Sequence, residues 1–168
     1  MNDEVSLRDV TEDDLPILFA HQLDPIANQM AAFTAKDPTD AAGFMTKWRK
    51  ILADPTGTTK AILFAGTVAG YIASFERAGQ REITYWIGRQ HWGKGVATAA
   101  LSSLLRELDV RPLYARAAKD NIASLRVLDK CGFKISGEDR GFANARGGDV
   151  DEFVLALGAG EETNSANR

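Results

Sequence analysis

The chain has 168 residues, 45% of them hydrophobic and 26% charged, an ordinary globular composition that excludes a disordered chain, a collagen-like repeat and a coiled coil. Twenty Lys and Arg against 23 Asp and Glu leave a net charge of −3, which argues against a bulk nucleic-acid binder. The length suits one core, so the expected organisation is a single domain over 1–157 followed by a loose, non-periodic tail over 158–168. In chain order, Val5–Val10 alternates apolar and polar residues and reads as a strand. Thr11-Glu-Asp-Asp14 then reads as a helix cap leading into Leu15–Leu23. Asp37-Pro-Thr-Asp40 is a second helix start, followed by Phe44, Trp48, Ile51 and Leu52 at helical spacing, a core stripe. Thr59–Ala65 and Val68–Glu76 around an Ala-Gly-Thr turn predict a hairpin, and Arg81–Gly88 a further strand. A helical face recurs from Lys94 to Leu108. A short strand follows over Pro112–Ala118, then a helix over Asn121–Cys131 stopped by Gly132. Phe133–Glu138 and Asp149–Leu157 are the last strands, around a glycine-rich loop.

The order β-α-α-β-β-β-α-β-α-β-β predicts antiparallel pairing early, a parallel strand–helix–strand unit from Arg81 to Ala118, and a mixed α/β sheet with helices on both faces. No apolar run reaches the roughly 18–20 residues of a membrane helix and the start is acidic, so a cytoplasmic protein without membrane contact is expected. The lone Cys131 excludes an intramolecular disulfide, and His21 and His91 lack metal-ligand spacing, so no metal is expected.

The informative segment is Gln90-His-Trp92-Gly93-Lys94-Gly95-Val96-Ala97-Thr98, between a strand and a helix. Glycines there let successive N–H groups point into one concavity, the helix start adds unpaired N–H groups, and Lys94 adds a positive charge, together a phosphate or diphosphate site. A plain tight turn would use the same glycines. A Walker A loop fails because Gly95 stands where Ser or Thr should hold magnesium. A dinucleotide fingerprint fails because Thr98 takes the third glycine position and no acidic residue closes a second strand.

Gln90-x-x-Gly93-x-Gly95, followed by Asn121-Ile-Ala-Ser124 opening a helix that ends in Gly132-Phe133, resembles the GNAT acetyltransferase family. Val5–Arg8, Thr11–Leu15 and Tyr85-Trp86-Ile87-Gly88 are most similar to its branch of ribosomal-protein alanine/serine N-terminal acetyltransferases, the RimJ/RimL-like proteins. The resemblance implies a mixed, mostly antiparallel sheet of six to seven strands and acetyl-CoA as cosubstrate without a metal. It implies direct transfer, in a ternary complex, to a peptide N-terminus or a small-molecule amine, with a homodimer as a family-level expectation. It places the diphosphate on backbone N–H groups from Trp92 to Thr98, and the pantetheine arm along the strand end Trp86, Ile87 and Gly88. Asn121, supported by Ser124, would face the arm from the other side, with Lys94 and Arg126 toward phosphates. Asn121 also suits a helix N-cap, and Ser124 and Arg126 also suit a solvated helix face.

Removing a proton from the attacking amine calls for a base, and the resemblance points to Glu82, which shares a strand face with Thr84 and Trp86. A half-exposed Glu82 paired with Arg81 is the structural alternative, and Asp151 or Glu152 the fallback base. The family's acid, a tyrosine seven residues after the asparagine, is replaced here by Leu128, which leaves the acid unassigned. That replacement also supports a competing reading, a non-catalytic acyl-CoA-binding or regulatory domain. Cys131 reads as a small packing residue, not a nucleophile, and His91 as a loop neighbour, not a base. The acceptor is expected between Gln22–Thr34 and the Gly141–Gly148 loop, where the family keeps its variable segments.

Overall fold

A seven-stranded sheet in the order β1-β2-β3-β4-β5-β7-β6 runs through the computed structural model, which describes residues 4–158. The expected tail therefore lies, apart from Gly158, outside the described residues. Its strands are β1 Val5–Asp9, β2 Thr58–Phe64, β3 Thr67–Arg77, β4 Gln80–Ile87, β5 Leu113–Ala118, β6 Lys134–Ala143 and β7 Gly148–Leu157. Every neighbouring pair is antiparallel except β4 with β5, as the order of elements predicts. The helices are α1 Leu15–Leu23, α2 Pro25–Ala31, α3 Ala41–Ala53, α4 Val96–Glu107 and α5 Ile122–Lys130. None is long and apolar enough to cross a membrane.

Local chemistry accounts for most boundaries. The Asp14 carboxylate accepts from the Thr11 N–H at 2.8 Å and holds Arg8 through two bonds of 2.7 and 2.9 Å, which ties β1 to the turn before α1. The Asp40 side chain caps α3 through the Gly43 N–H. Ala65-Gly66 and Ala78-Gly79 have φ of +52, +83, +52 and +79°, the paired left-handed residues that a two-residue hairpin turn requires. Gly132, at φ +96°, lets the chain leave α5 while the Phe133 N–H returns to the Leu128 carbonyl at 3.0 Å.

Two features differ from the sequence expectation. Three helices, not two, separate β1 from β2, because Asp24 caps α2 through the Ile26 and Ala27 N–H groups and Pro25 opens it. β6 continues through Gly141 to Ala143 because its backbone pairs with β7 down to Ala143↔Gly148, which shortens the expected glycine-rich loop.

The larger core packs Ile83, Ile87, Leu113, Ala115 and Leu155 of the sheet against Val96, Leu101 and Leu104 of α4 and Leu128 of α5. On the opposite face Leu15 and Leu18 of α1 and Trp48 of α3 cover Ala61, Val68 and Tyr71. A third cluster, Ala32, Ala118 and Ala143 with Val150, seats the chain after α2 beside β5. Helices thus cover both faces, and the space between β4 and β5 lies at the centre of the sheet.

Candidate active site

β4 and β5 pair only at Arg81↔Leu113 and Glu82↔Tyr114. Beyond that point β4 continues along β3 and β5 along β7, so the parallel strands part and leave a gap with Glu82 at its apex. Because the strands are parallel, the chain leaves both at the same end, where α4 and α5 begin. The mouth of the gap is therefore flanked by two helix N-termini, each with unpaired N–H groups and the positive end of its dipole.

Backbone groups along β4 face the gap in alternation. The Gly88 N–H donates to the Ala69 carbonyl at 2.8 Å, so the Ile87 carbonyl of the same peptide unit points away from β3. On the other side the Trp86 carbonyl lies against Gly70, where an added Cβ would approach it to 2.0 Å. Of the three strand-end residues expected to face the arm, Ile87 therefore presents its backbone to the gap, with Tyr85 two residues before it. Trp86 and the Gly88 N–H turn to β3. The Trp92 indole donates to the Ile87 carbonyl at 2.9 Å, folding the loop back over the strand end.

The loop itself is an N–H cradle. After a single 3-10 turn, Arg89–His91, Gly93 and Gly95 take φ of +77 and +75°, and neither has an atom within 4 Å of where a Cβ would stand. Among the described residues the N–H groups from Gly93 to Thr98 have no backbone acceptor, and the first α4 bond runs from the Ala99 N–H to the Gly95 carbonyl. Lys94 is exposed, 5.8 Å over the Phe64 ring. Gln90 is exposed, while Val96 is buried under the loop. The His21 ring packs against Gly88, within 2.7 Å of where a Cβ would be. Burial holds both His21 and His91 below the ordinary imidazole range, so both are neutral at pH 7 and neither adds charge to the cradle.

Across the gap, Asn121 caps α5 by accepting from the Ser124 N–H at 3.2 Å. Its side-chain amide donates no hydrogen bond among the described residues. The Ser124 hydroxyl is 2.7 Å from the Tyr85 hydroxyl. Arg126 is exposed and forms no ion pair among the described residues. Leu128 is 1% exposed and packs in the larger core.

Glu82 stands on the other face of β4, 5% exposed, opposite Ile83 and Tyr85. Its carboxylate lies 3.5 Å from guanidinium nitrogens of both Arg77 and Arg116. Arg116 also reaches Glu152 at 2.9 Å and Asp139 at 3.0 Å, so one guanidinium of β5 gathers carboxylates from β4, β7 and β6. Arg81, the neighbour the sequence suggested for Glu82, instead donates to the Thr56 carbonyl. Asp151 is exposed and paired with Arg140.

The two segments expected around the acceptor meet on this face. The Ala145 N–H donates to the Ala32 carbonyl, the Asn144 amide to the Thr34 carbonyl and the Arg146 guanidinium to the Gln29 carbonyl. Met30, Phe33 and Phe142 stay exposed beside this junction.

A family model described as an acetyltransferase (GNAT) domain matches residues 4–134. The chain belongs to the GNAT acetyltransferase family. It is 30% identical over 119 residues to a Bacillus subtilis (strain 168) protein named "Putative ribosomal N-acetyltransferase YdaF", covering 64% of this chain. The matched stretches span 47% and 65% of the two curated relatives. Mycobacterium smegmatis RimJ, solved in complex with CoA-disulfide, superposes with a TM-score of 0.75 at 21% identity, over 94% of this chain and 83% of that one. The Microcin C7 self immunity acetyltransferase MccE, solved with acetyl-CoA and AMP, gives 0.77 at 19% identity over 92% of both chains.

Within this GNAT chain the free N–H run, the left-handed glycines with open space above them, and the gap with an unpaired strand edge fit a diphosphate joined to an extended arm. Sequence reasoning missed Arg116 and His21. Alternation along β5 puts Arg116 on one face with Tyr114 and Ala118, but which strand would face it is a matter of register. Cys131 lies 3.8 Å from the Thr98 carbonyl and 3.7 Å from the Ser102 hydroxyl, packed against the larger core.

Proposed function

We propose that this chain is an acetyl-CoA-dependent N-acetyltransferase acting in a ternary complex on a primary amine, either a protein N-terminal Ala or Ser or a small-molecule amine. The observation that carries the reading is the parting of β4 and β5 beneath the unpaired N–H groups of Gly93–Thr98. Those N–H groups, with Lys94 and Arg126, would hold the diphosphate and neighbouring phosphates. The backbone of Ile87 and the Asn121 amide would hold the arm, once the Trp92 indole yields the Ile87 carbonyl. Bound acetyl-CoA supplies an activated acetyl thioester; the chain's own residues orient it and manage protons.

Glu82, at the gap's apex, takes the amine proton, directly or through water, and the Arg77 and Arg116 guanidiniums fix its carboxylate. An N-terminal peptide acceptor is supported by the likeness to a protein named as a ribosomal N-acetyltransferase and by the open junction of α2 with the β6–β7 turn. The buried Leu128 supports the competing reading, a non-catalytic acyl-CoA-binding domain. Mass spectrometry of peptides beginning with Ala or Ser, together with a panel of small amines, each incubated with the protein and acetyl-CoA, tests the choice. Acetylation with release of the CoA thiol supports the enzyme. Tight acetyl-CoA binding with every amine unmodified supports the binding domain.

A further inference from the structure

Arg146, in the turn between β6 and β7, joins three parts of the chain through one guanidinium. Its Nε donates to the Gln29 carbonyl in the last turn of α2 at 2.7 Å, and its two terminal nitrogens hold the Asp120 carboxylate at 2.8 and 3.1 Å. Gln29 lies on the α2 side of the acceptor junction. Asp120 directly precedes Asn121, the α5 cap whose amide the reading above gives to the cofactor arm.

The Gln29 carbonyl is open to Arg146 because of how α2 ends. Were the helix to continue, the Phe33 N–H would bond to that carbonyl, four residues back. Ala32, fully buried beside Ala118 and Ala143, instead takes φ +66° and ψ −61°, the rare and strained form of γ-turn. The Phe33 N–H then goes to the Ala31 carbonyl at 2.7 Å. A residue with a side chain keeps such a backbone only where its surroundings over-determine it. Here the Ala145 N–H holds the Ala32 carbonyl at 3.2 Å, the Asn144 amide holds the Thr34 carbonyl at 2.7 Å, and Arg146 replaces Phe33 at Gln29. The segment thus has two arrangements, a longer α2 with Phe33 bonded to Gln29 or the strained turn with Arg146 in its place. The exposed side chain of Phe33 moves with the choice.

We propose that Arg146 is a positioning residue that couples the two substrates. Braced by Asp120, it holds the end of α2 in the strained turn, so that acetyl-CoA fixed at Asn121 and an amine seated against α2 strengthen each other's binding. The inference rests on the acetyltransferase reading above. Such coupling is reciprocal and needs an element with two arrangements that both sites bias. The turn at Ala32 is that element. Acetyl-CoA biases it by fixing the turn that carries Asp120, and the amine biases it by contact with α2 and the chain after it. Hydrogen bonds from Arg146 hold the Asp120 carboxyl below the usual carboxylate range, so the brace stays charged at neutral pH. A lysine at 146 would keep the charge but lose the planar fork and its third donor.

Hydrogen exchange of the full chain, read by mass spectrometry with and without saturating acetyl-CoA, tests this without an acceptor. In wild-type protein acetyl-CoA slows exchange at residues 93–98 by direct contact, and at residues 28–34 about tenfold through Arg146. In Arg146→Lys and Asp120→Asn the slowing at 93–98 remains and that at 28–34 disappears. Asp120 is exposed, so Asp120→Asn leaves the core untouched. A merely structural Arg146 would raise exchange at 28–34 equally with and without acetyl-CoA and leave their ratio unchanged. With an amine acceptor, the acceptor KM rises about tenfold in both variants, while kcat and the affinity for acetyl-CoA alone stay within about twofold of wild type. Slowing at 28–34 that survives in both variants, or that is missing from wild-type protein protected at 93–98, overturns the inference and leaves the acetyltransferase reading intact. Wild-type protein that acetyl-CoA protects nowhere overturns that reading and this inference with it.

Discussion

Replacing Gly95 with alanine separates the two demands on the loop, since this residue both adopts a left-handed backbone and stands beside open space. At φ +75° a Cβ costs about 1–2 kcal/mol in backbone energy, with no added clash because nothing lies within 4 Å. In a chain of this size that lowers the melting temperature by roughly 2–8 °C. The same methyl would occupy the space above the N–H cradle, where phosphate oxygens must come within about 2.9 Å of nitrogen. Losing one charge-assisted bond there removes about 1.5–3 kcal/mol, an affinity loss of about 10- to 100-fold for acetyl-CoA. Gly66, at φ +83° in the β2–β3 turn and equally free of neighbours, is the matched control. Gly66→Ala should melt lower by a similar amount yet bind acetyl-CoA normally. Thermal melts and calorimetric titration of both variants decide the matter. Equal acetyl-CoA affinity in Gly95→Ala and Gly66→Ala would refute the placement of the diphosphate on this loop.

Gly70→Ala pushes a Cβ to 2.0 Å from the Trp86 carbonyl between two central strands, so it should destabilise by about 3 kcal/mol, seen as a lower urea midpoint. Asp14→Asn weakens the paired contact with Arg8, and urea titration at pH 7 should show a loss of about 1–3 kcal/mol. The hydrogen bonds from Arg8 hold the Asp14 carboxyl below the usual carboxylate range. That stabilisation is present above the unfolded value near 3.9 and is lost as pH falls through the lower folded value, so the gap between wild type and Asp14→Asn should close on acidification below about pH 4. Glu82→Gln should lower turnover about 10²- to 10⁴-fold with acetyl-CoA affinity within about twofold of wild type. Unchanged turnover in that variant would move the base to Glu152, which shares Arg116.

Local chemistry made most elements legible. Alternation gave the strands, Thr11 and Asp40 gave two helix starts, and Gly132 ended α5. α2 was just as local, announced by Asp24-Pro25, yet its seven residues are too few to show a helical stripe. The length of β6 was hidden because Gly141 and Ala143 have weak strand preference and are held by pairing with β7.

For the site, the Gln90–Gly95 loop and Asn121 stood out because glycine and asparagine carry backbone and capping chemistry in their types. The gap did not, because strands part by losing register at Glu82↔Tyr114, and no residue type marks that loss. The Arg116 clamp, the His21 contact with Gly88 and the Tyr85–Ser124 bond join residues 34 or more positions apart in four of five pairings. Only the fold brings such pairs together.

The central claim is that the parted strands and the N–H cradle form an acyl-CoA site. Calorimetric titration with acetyl-CoA, with ATP–Mg as the control ligand, tests it most directly and needs no acceptor. The account predicts micromolar binding of acetyl-CoA, about −8 kcal/mol, and none of ATP–Mg. Absence of acetyl-CoA binding, or equal binding of ATP–Mg, would contradict it.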